Sequence, residues 1–324
     1  MISKIIYHCR YIKEYGIKCF FVVMLSRLFP YMDNRAKWKL NLLQCKHRVI
    51  MNYLWKNLRI GEESHISEEQ IDDNRYKNCI WTAWIQGEVN APEVILLTFA
   101  SIRKYSCGHP VIVITNENIS DYINIPESIK RKYESGNIGN AHFSDIIRMM
   151  ILAKYGGIWL DATIFLHGPI DENAFSQLFY SLGFQSEKGK YVSEHKWLVG
   201  VIGGCKDSKF LANISVSLNN YWIRHSVPID YFVFDYIIAA LYYHNSDFHS
   251  LVDSLPRMEF FTGELRKIIN KEYSENDLNR LLKNNQIYTL TYRQGYRKYT
   301  LDGKLTNYGY LTQKYLGNEA KGVD

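Results

Sequence analysis

The sequence predicts an α/β protein in which a mostly parallel sheet with flanking helices is preceded by an N-terminal helical appendage. Three observations support this fold class. Between residues 78 and 170, strand-like apolar runs alternate with helical periodicities. Alternating strands and helices form parallel sheets with right-handed crossovers. Residues 1–60 have helical spacing and a strongly positive charge, whereas the rest of the chain is mildly acidic.

The composition excludes a generally disordered chain. Of the 324 residues, 47% are apolar and 22% are charged, which is typical of a globular protein with room for one large domain and an appendage. None of the six cysteines stands in a CxxC spacing. A cysteine-based zinc site is therefore not indicated, and we expect reduced thiols in a cytoplasmic protein.

Two helices are predicted within residues 1–60, with a break near Pro30. Their recurring apolar positions are Ile2, Ile5, Ile6, Cys9 and Ile12 in the first helix, and Trp38, Leu42, Cys45, Val49 and Tyr53 in the second. The apolar run from Cys19 to Leu25 is far shorter than the roughly 20 residues of a membrane-spanning helix.

The charge of this appendage predicts a polyanionic partner. Residues 1–60 hold 12 lysines and arginines against Glu14 and Asp33, a net charge of +10, while the remainder carries −4. Two interpretations stay open. The helices either form a hairpin that packs on the body with solvated lysines, or lie on an anionic membrane surface. Nucleic acid is less favoured, because no nucleic-acid-binding motif accompanies the charge. The second interpretation predicts peripheral attachment to the inner face of the plasma membrane.

Residues 61–77 are polar and acidic and are predicted to be a linker, so that the α/β domain spans residues 78–324. The predicted strands are Cys79–Ile85, the buried strand His109–Thr115, Ile158–Asp161 and Ile164–Leu166. The predicted helices are 92–105, Ile129–Tyr133 and Ala141–Tyr155, the last of which ends at Gly156-Gly157.

Ligands of open α/β sheets bind beyond the carboxyl ends of the strands. Three segments are predicted to meet there, namely Trp84–Gly87, Thr115–Glu117 and Leu160–Thr163. Asp161 directly follows a buried strand, where a carboxylate is costly unless it is paired or used, and where it can hold a divalent cation.

Two further acids have both a structural and a functional interpretation. Asp145 and Arg148 lie three residues apart on one helix, as a simple surface ion pair would, but they also precede Asp161 closely. Asp235 interrupts the apolar stretch Tyr231–Tyr243 and must be hydrogen-bonded or neutralised. It either caps a backbone amide or belongs to a binding pocket.

The stretch from about residue 78 to 170 resembles bacterial capsular polysaccharide synthesis proteins, within the broader glycosyltransferase family 32 that includes relatives of yeast mannosyltransferases and clostridial glucosylating toxins. The resemblance rests on WIQGEVNAPE (84–93), HFSDIIRMMILAKYGGIWLD (142–161) and ATIF (162–165). The first 70 residues lie outside it.

The resemblance implies a GT-A-like, Rossmann-like domain and a hexosyltransferase that uses a nucleotide-diphosphate sugar, a UDP-sugar in the first instance. Trp84 would stack on the base, while Asp145 and Arg148 would hold ribose and sugar hydroxyls. Asp161 would be the first acid of a DxD motif and would bind Mn²⁺ or Mg²⁺. Thr163 replaces the second acid. Asp235 would be catalytic, in the acceptor pocket.

The implied product is a glycan built with retention of anomeric configuration on a lipid-linked oligosaccharide or a growing cell-surface polysaccharide. Two alternatives remain. A sugar-phosphate transferase of capsule assembly would also need acids and a diphosphate donor. A non-catalytic, glycan-binding member of the fold is suggested by Thr163 alone.

Overall fold

The computed structural model describes residues 2–28, 37–61, 76–184, 191–258 and 262–317. The helices are α1 (Ile2–Leu28), α2 (Lys37–Leu58), α3 (Glu93–Lys104), α4 (Ile119–Tyr122), α5 (Glu127–Glu134), α6 (Asn140–Tyr155), α7 (Lys209–Arg224), α8 (Val233–His244), α9 (Ser246–Asp253), α10 (Glu264–Ile268), α11 (Glu275–Asn284) and α12 (Asn307–Leu316). The strands are β1 (Ile80–Ala83), β2 (Val111–Ile114), β3 (Gly157–Leu160), β4 (Ile164–Leu166), β5 (Tyr180–Ser181), β6 (Gly183–Phe184), β7 (Val201–Gly204), β8 (Arg257–Met258) and β9 (Ile287–Thr289).

The central sheet has the strand order β2-β1-β3-β7-β5. Strand β1 pairs in parallel with both β2 and β3, whereas β7 runs antiparallel between β3 and β5. Helices α3 and α6 provide the crossovers between the parallel strands. The predicted α/β class with a mostly parallel sheet, flanking helices and an N-terminal helical segment is therefore confirmed, and the architecture is compatible with a GT-A-like fold.

Two predicted strands differ from their expected environment. Strand β2, within the predicted segment His109–Thr115, lies at the sheet edge and is mostly half-buried, because only β1 pairs with it. Strand β4 is not part of the central sheet. The chain turns after Asp161, whose carbonyl accepts a hydrogen bond from the Ile164 amide at 2.8 Å, and β4 then pairs antiparallel with β9.

A glycine pair joins α6 to β3 and thereby sets the position of Asp161 at the end of β3. Gly156 and Gly157 have positive φ values of 66° and 90°. A Cβ at Gly157 would lie 2.3 Å from the Cys79 carbonyl oxygen, so no larger residue fits this approach. The carbonyl of Gly156 accepts a hydrogen bond of 3.0 Å from Trp81 Nε1 in the core.

Helices α1 and α2, here called the N-terminal hairpin, pack together, and α2 also packs on α7 and α8. The buried side chains are Tyr11, Tyr15, Cys19 and Val23 on α1, and His47, Ile50, Leu54 and Leu58 on α2. These stripes are rotated from the predicted ones, since Ile5, Ile6, Cys9 and Cys45 are exposed.

Buried hydrogen bonds of two tyrosines on α1 account for this rotation of the buried stripe. Tyr11 donates a hydrogen bond of 2.6 Å to the Ile229 carbonyl, and the hydroxyls of Tyr15 and Tyr221 are 2.6 Å apart. Tyrosines whose hydroxyls find such buried partners pack inward. The hairpin consequently shares one continuous apolar cluster with α6, α7 and α8.

Two further predictions concern the linker that follows the appendage and the length of its apolar segments, and the described residues bear on them only in part. Residues 62–75 of the predicted linker 61–77 lie outside the described residues. Within the described part of the chain, no helix is both long enough and apolar enough to cross a membrane.

Candidate functional site

A cleft of about 920 Å³ opens at the carboxyl ends of β1 and β3. Its walls come from residues 83–86 after β1, from the first half of α6, from the end of β3, from residues 231–235 around the start of α8, and from residues 290–293. All six site residues predicted from the sequence line this cleft, namely Trp84, Asp145, Arg148, Asp161, Thr163 and Asp235. Of the three segments predicted to meet there, Thr115–Glu117 does not line the cleft.

Arg148 bridges two carboxylates at the base of the cleft. Its guanidinium donates to Asp145 Oδ1 at 2.8 Å and to Asp161 Oδ1 at 2.5 Å. The residue is only 2% exposed and lies between the rings of Trp159 and Phe234. Burial alone would lower the pKa of Arg148, but the charges of Asp161 and Asp145 outweigh it and raise that pKa. The interpretation of Asp145 and Arg148 as a simple surface pair is therefore wrong.

The two carboxylate oxygens of Asp161 have different surroundings. Oδ1 accepts hydrogen bonds from Arg148 and from Trp159 Nε1, the latter at 2.8 Å. Oδ2 lies close to Gly200, where a Cβ would come within 3.0 Å of it. The Asp161 side chain is 34% exposed, so a ligand in the cleft can reach it. Two fixed hydrogen bonds leave the carboxylate little rotational freedom.

The side chains around Asp161 could supply only part of the coordination shell of a divalent cation. No group of three or more His, Cys, Asp or Glu side chains within the described ranges could hold a metal by itself. Thr163 offers a hydroxyl where a second carboxylate would otherwise stand. Mg²⁺ at nucleotide sites commonly takes one or two carboxylates and completes its shell with phosphate oxygens and water. Asp161 Oδ2 fits that single-carboxylate role.

Asp235 lies in the first turn of α8, half-buried at the cleft wall. Its Oδ1 accepts a hydrogen bond of 2.9 Å from Trp197 Nε1, so its partner is an indole and not a backbone amide. Burial is the main cause that raises the pKa of Asp235 to about 7, and the nearby charge of Asp145 adds to it. The Trp197 hydrogen bond and Arg148 act in the opposite direction. The cleft thus contains a carboxyl group that titrates near neutral pH.

Asp230 lies shortly before α8 but is not the N-cap of that helix. Helix α8 begins two residues later than such a cap would require, with Phe232 at its N-cap. The Asp230 carboxylate accepts from the Phe232 amide at 3.1 Å and pairs with Lys46 of α2 at 3.3 Å. It therefore fastens the turn before α8 to the N-terminal hairpin.

Trp84, directly after β1, lines the cleft, whereas Trp81 within β1 packs in the core. Trp81 is fully buried, while Trp84 is half-buried, with its ring 5.4 Å from that of Tyr292 at an interplanar angle of 83°. The indole nitrogen of Trp84 has no hydrogen-bond partner among the residues that the structure describes. Two aromatic rings at the cleft wall suit a flat ligand such as a nucleobase.

The cleft also contains residues that the sequence did not single out. Arg266, just inside α10, and Tyr292 line it together with Arg293. They are brought there because β9 pairs with β4 and the Leu290 amide donates to the Thr163 carbonyl at 2.8 Å. Lys298, further along the C-terminal segment, pairs with Glu93. No local pattern near Arg266 could have revealed its place.

The fold and the cleft define a mixed α/β protein, compatible with a GT-A-like fold, whose candidate site contains two carboxylates bridged by a buried arginine. Residues 33–308 match the family model described as capsular polysaccharide synthesis protein, so the expectation that the first 70 residues lie outside the resemblance is wrong for residues 33–70. The chain belongs to the capsular polysaccharide synthesis protein family.

A shorter similarity connects the chain to a curated fungal protein. It is 24% identical over 108 residues to the O-glycosyltransferase braB of Annulohypoxylon truncatum. The match covers 31% of this chain and 26% of that relative, so the chain spans about a quarter of the relative's length.

Proposed function

We propose that this protein is a glycosyltransferase that moves a hexosyl group from a nucleoside-diphosphate sugar, in the first instance a UDP-sugar, to a growing cell-surface polysaccharide. The observation that carries the proposal is the Arg148 bridge, which holds Asp145 and Asp161 side by side at the carboxyl edge of the sheet. Membership in the capsular polysaccharide synthesis family and the similarity to an O-glycosyltransferase support the same class of activity.

The donor would lie across the carboxyl ends of β1 and β3. Trp84 and Tyr292 supply the aromatic surface for the base. Carboxylate oxygens of Asp145 and Asp161 would accept hydrogen bonds from ribose and sugar hydroxyls, because Arg148 fixes both groups at the cleft. Arg266 and Arg293 line the cleft and can pair with the diphosphate. Mg²⁺ or Mn²⁺, when bound beside Asp161 Oδ2, would neutralise charge on the diphosphate leaving group.

The chemistry requires the bond between the anomeric carbon and the diphosphate oxygen to break while a bond to an acceptor hydroxyl oxygen forms. In a retaining, front-face displacement the acceptor proton passes to the departing phosphate, so no covalent nucleophile of the protein is needed. Asp235 would then orient the acceptor hydroxyl by accepting its hydrogen bond, on the α8 side of the cleft. Positioning and electrostatic stabilisation supply the rate enhancement.

The proposed acceptor is a lipid-linked oligosaccharide or the growing polysaccharide itself, at the inner face of the plasma membrane. This assignment rests on the family's role in capsule synthesis and on the charge of the N-terminal hairpin. The alternatives of a sugar-phosphate transferase and of a non-catalytic, glycan-binding protein use the same cleft, so their products separate them.

The test is product analysis with the full-length protein. Purified protein is incubated with a panel of nucleotide sugars and short capsular oligosaccharides, and products are examined by mass spectrometry and NMR. We expect a single hexose added through a glycosidic bond with the donor's anomeric configuration, together with release of nucleoside diphosphate. A phosphodiester in the product, with release of nucleoside monophosphate, would identify a sugar-phosphate transferase. Binding of glycan without turnover of any donor would contradict an enzymatic role.

A further inference from the structure

The N-terminal hairpin exposes large apolar side chains on the face opposite its buried stripe. Ile17, Phe21 and Leu25 of α1 are 53%, 56% and 41% exposed and follow one another at four-residue spacing. Ile5 and Ile6, before the kink at Gly16, are 57% and 56% exposed. Residues four apart on a helix share one face, so Ile17, Phe21 and Leu25 form an outward apolar stripe. Contiguous exposed apolar surface of this kind marks a binding site for a partner.

The fold itself does not require this stripe. The inward face of α1 already has Tyr11, Tyr15, Cys19 and Val23 in the core. A helix that only packs against its own protein carries polar residues on its outer side, as α11 does with its charged exposed face. The outward stripe is therefore in excess of what packing on the body needs.

The charge of the hairpin indicates which kind of partner the stripe would bind. The exposed basic residues described on the hairpin include Arg10, Lys13, Lys18, Arg27, Arg48 and Lys56. Glu14 is the single acid among the described hairpin residues, and its carboxylate faces inward to the Ser226 amide at 3.1 Å and His225 at 3.4 Å. The outer face thus combines apolar side chains with uncompensated positive charge. That combination is typical of interfacial helices on anionic lipid.

We infer that the outer face of α1, centred on Ile17, Phe21 and Leu25, docks on an anionic lipid bilayer. The apolar stripe enters the boundary between headgroups and acyl chains, while the surrounding lysines and arginines contact the headgroups. The partner is a membrane surface and not a second copy of the chain, because two such faces, each carrying only positive exposed charge, would repel one another.

The docking face is rigidly connected to the cleft. Lys46 of α2 pairs with Asp230, and Tyr11 of α1 donates to the Ile229 carbonyl. The next residues, Tyr231 and Phe232, are 60% and 48% exposed and line the cleft. A bilayer bound by the hairpin would hold this rim of the cleft at a fixed position relative to the lipid. Only this last consequence, presentation of a lipid-linked acceptor, rests on the proposed function.

The test is co-sedimentation of the full-length protein with vesicles of phosphatidylcholine containing phosphatidylglycerol, compared with phosphatidylcholine alone. We expect binding to the anionic vesicles at low salt and release at high salt, because headgroup attraction is screened. Phe21→Glu combined with Leu25→Glu should weaken binding by at least about tenfold, because it replaces two inserted side chains by acids. The matched control is Val89→Glu with Leu301→Glu, both 94% exposed on the body, and it should bind like wild type.

A second hairpin variant, with substitutions at exposed lysines, controls for misfolding of the first variant. Lys13→Glu with Lys18→Glu should also release the protein from anionic vesicles, whereas Lys267→Glu with Lys283→Glu should not. The inference is overturned if wild type stays in the supernatant with anionic vesicles at low salt, or if both hairpin variants bind like wild type. A dimer that dissociates in the Phe21→Glu, Leu25→Glu variant would assign the face to a second copy instead. Turnover of a soluble donor is measured in parallel, so that loss of the proposed activity and loss of lipid binding are scored separately.

Discussion

At the scale of single residues, Arg148 determines the electrostatics of the cleft. A buried guanidinium is stable only when its charge is compensated, and here two carboxylates from α6 and the end of β3 compensate it. The planar fork of arginine can reach both, which a lysine ammonium could not do with the same geometry. Asp145 and Asp161 are thereby held in place where both line the cleft. The pair of Asp145 and Arg148 is therefore part of a preorganised site and not an isolated surface ion pair.

Asp235 makes a pH-dependent prediction. Its pKa in the folded protein is raised to about 7, well above its ordinary value, so the folded state binds a proton that the unfolded state releases. The stability contributed by protonated Asp235 is complete below about pH 4 and is lost as the pH rises to about 7. Asp235→Asn removes this dependence. We expect the difference in free energy of unfolding, wild type minus Asp235→Asn, to fall between these values, by roughly 1.4 kcal/mol for each unit of pKa difference.

Urea denaturation of both proteins at a series of pH values measures this difference, and subtraction cancels the other titrating groups. Asp247→Asn is the control, because its side chain is 71% exposed. It should follow wild type at every pH. A wild-type minus Asp235→Asn difference that stayed flat from pH 4 to 7 would show that Asp235 is an ordinary, solvated carboxylate.

At the scale of secondary structure, the junction between α6 and β3 places the catalytic candidates. Gly157→Ala should destabilise the protein by about 3 kcal/mol or more, because the added Cβ would lie 2.3 Å from the Cys79 carbonyl oxygen at a φ of 90°. Gly136→Ala has a similar φ of 74° but meets no atom within 4 Å. It should cost only about 1 kcal/mol, the price of the left-handed backbone alone.

Thermal and urea unfolding of the two alanine variants separate steric contact from backbone conformation. The two substitutions having equal effects would contradict the close approach of β3 to the Cys79 carbonyl. Because β3 carries Asp161 at its end, we also expect Gly157→Ala to impair donor turnover more than Gly136→Ala does.

The same elements show what local sequence can reveal. The block from α6 through Gly156-Gly157 to Asp161 was predicted to within a residue or two, because helix periodicity, a glycine stop and an apolar strand are all encoded locally. The buried stripe of α1 was not. It depends on Tyr11 and Tyr15 finding hydroxyl partners at Ile229 and Tyr221, about 200 residues away in the chain. Arg266 and Tyr292 reach the cleft through the pairing of β4 with β9, whose partners, such as Phe165 and Tyr288, are also far apart in the chain.

At the scale of the whole molecule, the charge division of the sequence corresponds to two regions of one packed structure. The basic hairpin shares its core with α6, α7 and α8, and the carboxylates and arginines that line the cleft lie outside the hairpin, in part on α6 and α8. The two interpretations of the appendage are therefore compatible, since one face of α1 packs on the body and the other remains exposed. Peripheral attachment and sugar transfer would then be joined by the turn before α8.

The central claim is that the Arg148-bridged carboxylates bind and activate a nucleotide-sugar donor. The most direct measurement is the rate of nucleoside diphosphate release from the turned-over donor by Asp161→Asn, with Asp247→Asn as the matched control. We predict a loss of about 10²–10³ in rate for Asp161→Asn, with its fold retained by circular dichroism, and wild-type turnover for the control. Near-normal turnover by a folded Asp161→Asn variant would contradict the account.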